Sequence, residues 1–184
     1  KGSLVLDIDM PLRHMVDAKV KGQVKLNDNQ VSFASAIPAL EHVRGQLEFD
    51  EKGIAARDVQ VHTLDGPARL NVLTEAGTVH VKADGKATAA GLQNYLAVVP
   101  AGSLSGTTAW KAQFDIKDQA SLQISSDLQG LGIRLPEPYS KVPASALPFR
   151  LNMNQSVGQA EHWEGQLGKW ASLSLQRQVG GKTP

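Results

Sequence analysis

Residues 18–26 read Ala18-Lys19-Val20-Lys21-Gly22-Gln23-Val24-Lys25-Leu26, with Ala18, Val20, Gly22, Val24 and Leu26 on one side and Lys19, Lys21, Gln23 and Lys25 on the other. Successive side chains of a strand point to opposite faces, so this alternation describes a half-buried β-strand. The pattern recurs in both directions along the chain. Leu4, Leu6, Ile8 and Met10 alternate with Val5, Asp7 and Asp9. Asn27-Asp28-Asn29 is expected to turn the chain into Val31 and Phe33, because Asn and Asp tolerate turn conformations. Further strands are expected around Leu47/Phe49, Val59/Val61, Leu70/Val72, Val79/Val81, Trp110/Ala112/Phe114/Ile116, Leu122/Ile124 and Ile133/Leu135. Phe149/Leu151/Met153, Leu167 and Leu173/Leu175 complete the set. Asp50-Glu51-Lys52-Gly53, Glu75-Ala76-Gly77 and Lys117-Asp118 punctuate these strands. Short strands with regular turn signals predict an all-β fold, mainly an antiparallel meander.

Two segments depart from period two. Leu92, Tyr95, Leu96 and Val99 fall at helical spacing, predicting a short helix over 88–98 that ends before Pro100. Residues 38–42 are expected to form another single turn. The run Leu135-Pro136-Glu137-Pro138, followed by Pro143 and Pro148, reads as a loop, since proline cannot sit in a central strand. Residues 1–184 read as a single β-rich segment, with 87–105 as the place where a subdivision would fall. The opening Lys1-Gly2-Ser3, without an initiator Met, reads as part of a longer protein.

Composition narrows the function classes. Of 184 residues, 41% are hydrophobic and 20% charged, which fits neither a disordered chain nor a membrane bundle. A formal net charge of +1 gives no footprint for a phosphate backbone, and 5% aromatics give no stacking platform for bases. Without cysteine there is no disulfide framework and no thiol chemistry. The longest uncharged run, 87–110, is broken by Gln93, Asn94, Pro100 and three glycines, so it is no transmembrane helix.

Chemical motifs fail one by one. His14, His42, His62, His80 and His162 show no metal-ligand spacing and read as surface residues. Asp7 with Asp9, and Glu48 with Asp50, share strand faces, where a solvated face explains them more simply than acid–base work. Gly102-Ser103-Leu104-Ser105-Gly106 has leucine where a nucleophile elbow needs serine. Gly181-Lys182-Thr183 lacks the upstream glycine of a phosphate loop, because position 176 is Gln. The expectation is a protein without enzymatic activity, metal or cofactor. The apolar strand faces remain as the functional candidate: Leu4, Leu6, Ile8, Val20, Val24, Leu47, Phe49, Leu70, Val72, Ala112, Phe114, Ile116, Leu122, Ile124, Phe149 and Leu151. Alternation alone fits both a closed core and an open groove.

Several elements follow one another in order along the chain: Met10-Pro11-Leu12-Arg13, Val20-Lys21-Gly22, Ile37-Pro38-Ala39-Leu40 and Arg44-Gly45-Gln46-Leu47-Glu48-Phe49. Asp65-Gly66-Pro67-Ala68-Arg69-Leu70 follows. Then come Ser105-Gly106-Thr107-Thr108-Ala109-Trp110 and the most specific piece, Ser126-Asp127-Leu128-Gln129-Gly130-Leu131, continuing to Lys141. Their order resembles the AsmA-like superfamily of Gram-negative envelope proteins, most closely the YhdP family, which tends to have glycine where this chain has Asp65. The resemblance implies a curved sheet forming an elongated groove or half-barrel. It further implies the periplasmic portion of an inner-membrane-anchored bridge that passes phospholipid or another acyl lipid between the two membranes. Envelope proteins are the other partners it suggests, and it supplies no catalytic residues. The competing reading is a structural or interaction module of the envelope with a closed core and no ligand.

Overall fold

Among the described residues the alternating segments lie in strands, except at Leu135, because each has an apolar side to bury and a polar side to leave in water. The computed structural model describes residues 2–9, 19–32, 37–96, 99–156 and 160–178. Residues 10–13, His14, Ala18, Phe33, Val98 and Gly181-Lys182-Thr183 lie outside the described residues. The order is β1 (Gly2–Asp9), β2 (Lys19–Val31), β3 (Leu40–Asp50), β4 (Gly53–Thr63), β5 (Gly66–Glu75), β6 (Thr78–Thr88) and α1 (Ala89–Tyr95). It continues with β7 (Leu104–Ile116), β8 (Gln119–Ser126), β9 (Leu131–Ile133), β10 (Phe149–Ser156), β11 (Glu161–Leu167) and β12 (Ala171–Arg177).

All pairings are antiparallel, and the sheet runs β1-β2-β3-β4-β5-β6-β7-β8-β10-β11-β12. It is open, with β1 and β12 at its edges. β6 pairs with β7 from Val79↔Ile116 to Thr88↔Thr107, so the helix and loop between them leave the sheet continuous. β9 sits beside the first residues of β7, with Leu104↔Ile133 and Gly106↔Leu131.

Three local expectations are corrected. Asn27-Asp28-Asn29 is not a turn: β2 runs through it to Val31, and the segment is a bulge with Asp28 at φ 61. Asn29 Oδ1 accepts from the Asn27 N–H at 2.9 Å, so the residues that favour turns here satisfy an interrupted ladder. Residues 38–42 form no helical turn; Leu40 opens β3 and His42 is a bulge residue at φ 51. The helix covers Ala89–Tyr95, shorter than expected, with Thr88 as its N-cap and Leu96 as its C-cap. Register shifts in β2–β5 bend this part of the sheet.

The two ends of the strands are built differently. At one end lie residues 51–52, 76–77 and 117–118, the first two of them tight turns; Ala76 and Gly77 have φ 49 and 77, a pair suited to a two-residue hairpin. At the other end lie the 64–65 turn, α1, β9, residues 134–148 and the 168–170 turn. Here the family-like motifs do structural work. Asp65 holds φ 57, a conformation glycine adopts freely, and its carboxylate accepts from the Thr88 hydroxyl at 2.8 Å. That hydroxyl also accepts from the Gly91 N–H at 3.0 Å, and the Thr88 N–H donates to the Leu64 carbonyl at 3.1 Å. A Cβ on Gly91 would stand 2.0 Å from the Leu64 oxygen, so only glycine lets the helix seat on the turn.

The Ser126–Leu131 motif turns the chain off β8 and back onto β7. Ser126 Oγ donates to the Ala109 carbonyl at 2.6 Å and accepts from the Leu128 N–H at 2.9 Å. Gly130, at φ 90, donates its N–H to Pro143, and its carbonyl accepts from Thr107. Lys141 exchanges both backbone bonds with Ile133, which ties the proline-rich loop to β9. Its Nζ donates to the Leu131 carbonyl at 2.7 Å and the Val142 carbonyl at 3.2 Å. Burial holds this amine below its ordinary pKa, against the opposing charge of Asp127.

Two apolar clusters result. Val43, Ala56, Val59, Val61 and Ala68 are buried within β3–β5, covered by same-face neighbours such as Leu47, Leu70, Val72 and Trp110. Leu131, Ile133 and Leu147 form the second, beneath Leu92, Leu104, Leu128, Leu135 and Trp170. Among the described residues no large side chain is fully buried, which marks a sheet without a second layer over most of its area.

Candidate functional site

Residues at paired positions of an antiparallel sheet share a face, so the register carries one face from edge to edge. Leu4↔Val24, Leu6↔Gly22 and Ile8↔Val20 start it. Val24↔Leu47 and Gly22↔Phe49 pass it to β3, and Leu47↔Ala56 and Ala56↔Val72 to β4 and β5. Val72↔Val81, Leu70↔Ala83, Val81↔Phe114 and Ala83↔Ala112 carry it to β7. Phe114↔Leu122, Ile124↔Leu151 and Ser126↔Phe149 complete the path to β10. All sixteen positions singled out in the sequence therefore lie on one face of one sheet. The register extends the face to Met153, Trp163, Leu173 and Leu175, which sequence reading left out of the site. Gly165 and Glu161 interrupt the alternation of β11, which hid its register.

Burial along this face is graded. Val59 is 4% exposed in the bend, whereas Leu4 is 57%, Ile116 38% and Leu173 52% exposed toward the edges and the tight-turn end. Gly22 leaves room for the end of the Phe49 ring over β2, since a Cβ there would stand 2.1 Å from its Cζ. Trp110 Nε1 and Thr63 Oγ1, also on this face, are buried without a hydrogen-bond partner among the described residues.

The opposite face is polar and knit by cross-strand pairs. His42 Nδ1 lies 2.7 Å from Asp28 Oδ1, with Arg44 at 3.6 Å, and His42 stacks edge-on against His62. The hydrogen bond with His42 holds the Asp28 carboxyl below its ordinary range. His80 lies 2.7 Å from Asp115, whose pKa burial would raise but whose hydrogen bonds with His80 and Gln113 lower overall. Arg69 and Asp84 pair at 3.4 Å. Glu48, read as half of a carboxylate pair, accepts from Gln23 and Gln46, while Asp50 accepts from the N–H groups of Lys52 and Gly53 in the turn. Among the described residues no three metal-capable side chains gather.

Among the described, paired strand positions, one ion pair sits on the apolar face. Glu161 and Arg177 occupy paired positions of β11 and β12, joined by Arg177 Nε to Glu161 Oε2 at 2.8 Å and Nη2 to Oε1 at 3.0 Å. Trp163 Nε1 donates to the same carboxylate at 2.9 Å. The Arg177 bond holds the Glu161 carboxyl below its ordinary pKa; burial opposes this and the Trp163 bond adds to it.

These features define an open antiparallel sheet with one polar and one apolar face, closed at one strand end by a helix and a proline-rich loop. The comparison with known families matches the YhdP family, described as YhdP protein, over residues 1–183, so the chain belongs to that family of envelope proteins. Neither the curated proteins nor the solved structures compared with it gave a match. Among the described residues no helix is long and apolar enough to cross a membrane.

Proposed function

We propose that the apolar face holds the acyl chains of phospholipid, and that the chain is the periplasmic part of an inner-membrane-anchored bridge through which such lipid moves. The observation that carries this reading is the continuity of the apolar face from β1 to β12 with a polar face behind it. An uncovered apolar patch of that extent is a binding surface in a protein that stays dispersed in water. The dimensions suit the ligand. The 8 residues of β8 span about 26 Å at roughly 3.3 Å each, against about 15 Å of hydrocarbon in one bilayer leaflet. Each methylene withdrawn from water contributes about 0.8 kcal/mol, so retention needs no specific contact. Ala56, Ala68, Ala83, Gly85 and Ala112 place small residues among the larger Val, Leu and Phe side chains of this face. No catalytic step belongs to this reading.

Native mass spectrometry of protein purified without detergent tests it. The expected result is a protein mass accompanied by phospholipid that solvent extraction releases. Protein that is folded, monodisperse and free of lipid would favour the closed-core reading.

A further inference from the structure

The Glu161–Arg177 pair is out of character with its surroundings. Among the described, paired strand positions of the apolar face, Glu161 and Arg177 are the only charged residues. Glu161 opens β11 and Arg177 closes β12, so the pair stands at the tight-turn end of the sheet, away from the helix and loop. Ion pairs withdrawn from water carry a desolvation penalty, and well-packed apolar residues join two strands at least as well. Its retention on this face therefore calls for a role beyond strand pairing.

The geometry is that of a prepared anion site. Glu161, 9% exposed, accepts from Arg177 Nε and Nη2 and from Trp163 Nε1, which fixes the plane of the guanidinium. The Arg177 side chain keeps 45% of its exposure, and its Nη1 has no hydrogen-bond partner among the described residues. One edge of the fork is held and the other is open. A planar guanidinium with a free edge matches two oxygens of a phosphodiester, and fixing it beforehand lowers the ordering cost of binding. Beside it on the same face, Leu173 and Leu175 are 52% and 41% exposed and offer apolar surface.

We propose that Arg177, oriented by Glu161 and Trp163, is the subsite for the phosphate of a phospholipid whose acyl chains lie along Leu173 and Leu175. This rests on the lipid reading above and adds to it where the headgroup sits and which lipids are preferred. A diacylglycerol, with the same chains and no phosphate, lacks the partner for Arg177.

Equilibrium binding of acyl-labelled phosphatidylethanolamine and acyl-labelled diacylglycerol to the full chain tests this. The unmodified protein is expected to prefer the phospholipid by about tenfold or more, the scale of a charged hydrogen bond. Glu161→Leu combined with Arg177→Met keeps the strands joined by apolar contact; it is expected to bind diacylglycerol as before and to lose the preference. Arg177→Lys, which keeps the charge and loses the fork, is expected to melt like the unmodified protein and to show a reduced preference, which covers the case of a misfolded double variant. Excess inorganic phosphate is expected to displace neither lipid; selective displacement of the phospholipid would overturn the headgroup as the source of the phosphate. Equal binding of both lipids by the unmodified protein, or a preference surviving in both variants, would overturn the subsite alone. Binding of neither lipid would overturn the apolar-face reading together with it.

Discussion

At the tight-turn end the apolar face finishes in half-exposed side chains such as Ile116, while at the other end it disappears beneath α1, β9 and the proline-rich loop. Both ends are written in the same alternating code. Alternation sets which face a side chain joins; burial depends on what else the chain sends to cover it. The cover here is a cluster of α1, β9 and loop residues centred on Leu131, Ile133 and Leu147. It is held by backbone contacts too close for any residue but glycine at Gly91 and Gly106. One strand end is thereby a small closed core; beyond it the face is packed in the β3–β5 bend around Val43, Val59 and Val61 and opens toward the edges and the tight-turn end.

Truncation at matched positions should break this symmetry most strongly. Leu131→Ala, in the closed core, is expected to cost about 2–5 kcal/mol in denaturant unfolding, because the cavity cannot collapse. Ile116→Ala, on the open wall, is expected to cost less than about 1 kcal/mol. Equal losses would mean that the wall is covered. The next effect is on the cover alone. Thr88→Ala removes the cap of α1 and the bond to Asp65, and is expected to cost about 1–2 kcal/mol. Hydrogen exchange should quicken at α1 and leave β10 and β11 unchanged.

The smallest effect concerns acid sensitivity at the open end. Glu161 titrates below its ordinary 4.5, so the pair's contribution is complete above that value and is lost as pH falls through the lowered folded pKa. Glu161→Gln is expected to flatten the melting temperature between pH 5 and pH 3, relative to the unmodified protein. A parallel decline in both proteins would assign the acid sensitivity elsewhere, Asp28 and Asp115 being the other carboxylates held low among the described residues.

Most of the sheet was legible because period two survives wherever one face is buried. The class of fold and the common face of the sixteen candidates follow from that period and the antiparallel order. What escaped was local. Asn27-Asp28-Asn29 has the chemistry of a turn and of a bulge alike, and the pairing of β2 with β3 before and after it, at Leu26↔Gly45 and Val31↔Leu40, makes it a bulge. Leu40 and His42 were obscured by Pro38, whose restriction suits a strand entry as well as a turn. The Glu161–Arg177 pair was invisible because its partners stand sixteen residues apart and meet only through the β11–β12 register. The cover was half visible: the proline-rich segment read as a loop, but nothing in it announced that β9 would pair with β7 rather than β8.

The central claim is that the open part of this face is a lipid wall, and β7 offers the most direct measurement. Phe114 pairs with Val81 and Leu122 on the apolar face, and Gln113 pairs with Lys82 and Gln123 on the polar one. A photo-crosslinking residue introduced at each position in cells samples both faces at one level of one strand. Phospholipid captured at 114 and not at 113 is the result expected of a one-sided wall. Capture at neither position, or equal capture at both, would contradict it.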